Sequence, residues 1–99
     1  MITTTQVIEW SKKHPCGDNA RHTRIRNNKV EVSIVGGGKG LYGDFEDDFE
    51  IAVIDLQTKK FVTKFFKPNL NDDVIGYVNR TEMEELLNSI FKDNSFQVL

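Results

Sequence analysis

Residues 49–66, FEIAVIDLQTKKFVTKFF, restrict the fold more than any other part of the chain. β-Branched and aromatic side chains suit a pleated, half-buried surface. Two runs of them, 49–55 and 61–66, flank the polar residues 56–60. Ile51, Ala52, Val53 and Ile54 are apolar in succession, whereas a strand with one wet face alternates. The run therefore predicts a central strand covered on both faces. A hairpin to 61–66 is expected, and its linker has no glycine, so a residue such as Lys59 or Lys60 must take a positive φ.

The remaining chain supplies elements to cover that pair. Thr3, Thr4 and Thr5 are candidate N-caps for a short helix over 6–13, in which Val7 and Trp10 share an apolar face and Trp10 anchors the core or its rim. Pro15 and Gly17 end it. Residues 22–26 and 29–35 read as a hairpin turning at Asn27 and Asn28, because asparagine tolerates left-handed backbone. Val30, Val32, Ile34 and Ile25 point inward; Glu31, Ser33, Arg24 and Arg26 point outward. Residues 36–50, glycine-rich and then acidic, form a mobile connection into the central strand. Pro68 stops strand pairing, and 74–78 is either a fifth strand, made less regular by Gly76, or an irregular segment packed on the core. Thr81 and Glu84 match a capping box opening a helix to about residue 92. Its apolar stripe is Met83, Leu86, Leu87, Ile90 and Phe91.

The expected fold is thus a small single α+β domain over residues 1–99. An antiparallel sheet of four to five strands carries a short N-terminal helix and an amphipathic C-terminal helix. Ninety-nine residues suffice for one core. With one cysteine, Cys16, no internal disulfide forms. No signal peptide and no bilayer-length apolar run is present, which suits a cytoplasmic protein without a membrane role.

Charge is distributed unevenly. Residues 1–40 carry seven Lys/Arg against three acids, residues 41–58 carry six acids and no base, and residues 59–99 carry six of each. Such polarity predicts a dipolar surface if it persists in space.

Four constellations bear on function. Asp44, Glu46, Asp47, Asp48 and Glu50, with Tyr42 beside them, form an acidic contact surface for a protein partner. In an extended chain Asp44, Glu46, Asp48 and Glu50 share one face. A solvated, solubilising loop is the plainer reading, and the spacing is not that of an EF-hand. Arg21, Arg24, Arg26 and Lys29 would suit phosphates, but the sequence pI of about 5.6 is acidic, and no RNA-binding aromatic signature is present. Gly38 to Gly43 fits G-x-G-x-x-G, yet an acidic run stands where a phosphate-binding helix is required. His14, Cys16 and His22, with Asp18, lack paired metal-ligand spacing, and no group orients Cys16 as a nucleophile. Asn79 to Thr81 is a chance glycosylation match.

The reading is a non-catalytic protein-interaction or regulatory module, monomer or homodimer, with no cofactor or metal. The alternatives are a nucleic-acid binder using the arginine hairpin and a nucleotide binder or small enzyme using the glycine loop. Short single-domain chains of this kind are frequent in phages and mobile elements, a base rate and not a property of these residues.

Overall fold

The computed structural model describes residues 1–15 and 17–99. The elements in chain order are α1 (Thr4–Glu9), β1 (Lys12–Lys13), β2 (Arg21–Arg26), β3 (Val30–Gly36), β4 (Asp48–Asp55), α2 (Thr63–Phe66), β5 (Ile75–Asn79), α3 (Arg80–Ile90) and β6 (Gln97–Val98). Strands β1 to β5 form one antiparallel sheet in sequence order, and β6 pairs with β2 on the same edge as β1. This is the expected α+β architecture.

The expected β2–β3 hairpin is present, with Ile25 opposite Val32 and Arg26 opposite Glu31. Asn27 fixes the turn because its Oδ1 accepts from the N–H groups of Lys29 and Val30. Alternation then divides the sheet. Thr23, Ile25, Val32, Ile34, Phe49, Ile51 and Val53 lie on one face, all at most 1% exposed. α1 supplies Val7 and α3 supplies Met83 and Leu87, with Phe91 just beyond it, to the same cluster. Burying these side chains is the main stabilising term, about 25 cal/mol per Å² of apolar surface.

Covering on both faces of β4 is corrected: α1 and α3 serve only the Phe49 face. The other face of β4 carries Glu50, Ala52 and Ile54, packed edge to edge with Val35, Ser33 and Glu31 of β3. Glu31, expected outward, does lie on this open face but is only 7% exposed. Arg24 grips it through Nε at 2.9 Å and a second nitrogen at 3.3 Å, and Arg26 Nε approaches to 3.7 Å.

The expected second strand over 61–66 is also corrected. It begins as one, since Phe61 bridges to Ile54, the Val62 N–H donates to Val53 O and the Asp55 N–H donates to Lys60 O. At Thr63 it turns into the single helical turn α2. The reason is local: the Thr63 hydroxyl, 1% exposed, accepts the Val53 N–H at 2.9 Å and so replaces the next backbone partner. Lys59 does take the positive φ that the glycine-free linker requires, at 62°.

α1 is capped by Thr3, one of the three expected threonines, in a capping box with Gln6; the helix begins at Thr4 and ends at Glu9, earlier at both ends than expected. Lys12 and Lys13 leave the expected helix to pair with β2. In α3 the capping box is Asn79 with Glu82 rather than Thr81 with Glu84. β5 delivers Asn79 in extended geometry at the turn into the helix, and the Asn79 Oδ1 accepts the Glu82 N–H at 2.9 Å. Glu84 faces α1 instead. Trp10 is half-buried and packs on Phe96, ring centroids 5.9 Å apart. Among the described residues no helix is long and apolar enough to cross a membrane.

Candidate interaction surface

The connection from β3 to β4 carries its own hydrogen bonds around Asp44 and Asp48. The Asp44 Oδ1 accepts from the N–H groups of Glu46, Asp47 and Asp48, at 2.8, 2.8 and 3.1 Å. The Asp48 Oδ1 accepts the Asp44 N–H at 2.7 Å. The N–H groups of Asp47, Asp48 and Glu46 hold the Asp44 carboxyl down at about 2, as expected for a carboxylate taking several backbone donors. Phe45 has φ 61°. It turns its ring into the core against Phe49, centroids 5.3 Å apart. The four acids expected on one extended face are therefore not so arranged, because the chain bends at 44–48.

Asp44 is exposed although its Oδ1 is engaged, and two more acids are exposed beside it. Glu46 and Asp47 are exposed, whereas Asp48 and Glu50 are half-buried. Arg80, from the first turn of α3, donates to Glu46 O at 2.8 Å and stands 3.5 Å from Asp47 Oδ1. Beside the acids lie two exposed tyrosines. The Tyr42 N–H donates to Glu50 Oε1, and Tyr42 O accepts the Tyr77 N–H. The two rings stand 5.9 Å apart, Tyr42 47% and Tyr77 65% exposed. Gly76 makes room for this pair: a Cβ there would fall 2.8 Å from the Cβ of Tyr42. Tyr77 and Arg80 were not legible in the sequence, since only the β4–β5 pairing brings them to the loop.

The glycine loop joins β3 to β4. Gly37 and Gly43 serve packing, since a Cβ would meet Asn19 O at 2.4 Å and Asp48 O at 2.8 Å respectively. Three N–H groups here are engaged internally, Gly37 on Gly43 O, Leu41 on Gly38 O and Tyr42 on Glu50.

The arginines do not converge on one surface. Arg24 and Arg26 are drawn to Glu31 on the open face. Arg21 is of the opposite parity and binds Ser11 through its Oγ and its carbonyl, at 2.9 and 2.8 Å. Lys29 stands at the far end of the hairpin, exposed. His14 and His22 meet edge to face, centroids 5.3 Å apart. Desolvation lowers the His22 pKa, with His14, Arg24, Lys12 and Arg21 adding to it. Asp18 is exposed, Cys16 lies outside the described residues, and no three metal-ligating side chains converge among the described residues.

Comparison with protein-family models, with curated proteins and with solved structures found no match.

Proposed function

We propose that this chain is a non-catalytic binding module whose contact surface is the acidic turn with Tyr42 and Tyr77. The observation that carries the reading is the prearranged turn. Asp44 spends its charge on three backbone donors, and Glu46 and Asp47 are held outward beside two exposed tyrosines. A fixed loop loses little entropy on binding. Tyrosine offers large contact area with few rotors and is enriched where interfaces concentrate their energy. The charge calls for a partner with a basic patch, and such complementarity speeds encounter and selects the partner. The arginine hairpin supports nucleic-acid binding less well, because Glu31 already occupies Arg24 and Arg26.

The test is capture from nuclease-treated host lysate by the native chain and by two variants, Glu46→Gln/Asp47→Asn and Tyr42→Ala. None of these removes the Asp44 side chain that shapes the turn. The reading requires a protein retained by the native chain and lost from both variants. Identical retention by all three would dispose of it.

A further inference from the structure

At the other end of β4 from the acidic turn lies a second surface. Residues 59–67 contain four lysines, Lys59, Lys60, Lys64 and Lys67, and no acid. All four are exposed, as is Lys29 on the neighbouring hairpin turn. The three ion pairs among the described residues all use arginine, so these five lysines are not neutralised within 4 Å by a carboxylate. Lys29 lines an apolar pocket of about 500 Å³ walled by Val30, Val62, Phe65 and Phe66, within the range of small-ligand sites, and the other four lysines flank its wall residues along the chain. Phe65 is 82% exposed and meets Phe66 edge to face, centroids 5.3 Å apart. Asn28 and Gln57 add two side-chain amides to the lining, and no described residue engages either amide.

We infer that this corner binds single-stranded nucleic acid, with a base seated against Phe65 and Phe66 and lysines 29, 59, 60, 64 and 67 along the phosphates. An exposed aromatic ring, Phe65, on a lysine-rich segment is what an unpaired strand requires, since every base has a stacking face and every linkage a charge. The amides of Asn28 and Gln57 each donate and accept, which matches the polar edge of a base. Asp55 also lines the pocket. Its Oδ1 is taken by the N–H groups of Gln57 and Thr58, which moderates its repulsion of phosphate. An anionic bilayer fits less well. Phe61, 51% exposed, pairs with Ile54 on the open face, whereas Phe65 stands by Val30 and Val62 on the helix face, so the two rings do not share a membrane plane. Glu82 and Glu85 flank Lys67 on the far side of Phe66, which directs the strand toward Lys29 and Lys59 rather than along α3.

The experiment is fluorescence anisotropy with a labelled oligothymidylate and the matching oligouridylate, read at low salt and through a salt series. Five lysines on phosphates give a log–log salt slope of about −3.5. Phe65→Ala should weaken binding about five- to a hundredfold. Lys59→Glu/Lys60→Glu should weaken it further and flatten the slope. Phe65 is exposed, so an unchanged unfolding midpoint is expected for Phe65→Ala and separates contact from folding. The inference is overturned by no binding at low salt, by affinity that Phe65→Ala leaves intact, by equal binding of poly-glutamate, or by binding only to phosphatidylserine vesicles.

Discussion

Thr4 and Glu84 join the two ends of the chain: the backbone N–H and the hydroxyl of Thr4 both donate to one oxygen of Glu84, each at 2.7 Å. One helical turn further along α3, Asn88 accepts the Ile2 N–H at 2.7 Å and returns a bond to Ile2 O. α3 thus holds α1 by side chains at i and i+4, which share a helix face. Glu84→Ala should cost about 1–2 kcal/mol, the scale of hydrogen bonds to a charged acceptor that is partly solvated. Glu84→Gln, which keeps an acceptor oxygen, should cost less. Urea unfolding of the three proteins measures both.

Stability should fall steadily as pH is lowered. The hydroxyl and N–H of Thr4 lower the Glu84 pKa, and the backbone donors hold Asp44 near 2. Each carboxylate therefore contributes stability that is present above its unfolded pKa and is lost on descent through the folded one. The His22 pKa is also lowered. There the unfolded chain takes up the proton first, so stability already declines as pH drops below the ordinary histidine value of about 6.5. All three groups act in the same direction. Unfolding midpoints should decrease from pH 7 to 5 and again below 4. Asp44→Asn should remove part of the second decrease, and His22→Gln part of the first.

Asn79 and Thr81 make opposite predictions under the two possible capping boxes. Because Asn79 accepts the Glu82 N–H, Asn79→Ala should destabilise by about 1 kcal/mol. Thr81 is exposed and caps nothing, so Thr81→Ala should change stability by less than about 0.5 kcal/mol. Thermal or urea unfolding of the pair decides the matter.

Gly37 and Gly40 separate backbone strain from steric overlap. Both have positive φ, 77° and 84°. Nothing lies within 4 Å of a Cβ added at Gly40, whereas at Gly37 it would strike Asn19 O. Gly40→Ala should cost about 1–2 kcal/mol, the left-handed penalty alone. Gly37→Ala should cost clearly more, because backbone must move. Comparison of the two unfolding free energies checks the difference.

Much of the fold was legible because it depends on period and turn chemistry. Alternation at Val30, Val32 and Ile34, asparagines at 27 and 28, the density of β-formers at 49–55 and the stripe from Met83 to Phe91 each state a local preference that burial then rewards. The positive φ of Lys59 followed from a short linker without glycine. The failures share one cause, competition between local patterns that only contacts distant in sequence resolve. Thr81 and Asn79 both offer a cap, and the docking of β5 on β4 chose Asn79. Residues 61–66 have strand propensity, but the Thr63 hydroxyl replaced a ladder bond, and the helical turn that follows leaves Phe65 exposed while Phe66 packs on the core. Glu31 reads as a wet residue until Arg24 and Arg26 close over it.

The candidate surfaces divide in the same way. The sequence by itself determined that acids cluster at 44–50 and that one small α+β domain forms, because composition and periodicity are properties of the chain. Only the tertiary structure decided that Tyr77 joins Tyr42 and that Lys29 lines one pocket with Val62, Phe65 and Phe66. Those are relations between strands, set by sheet register, and register depends on how all the elements bury their apolar faces together.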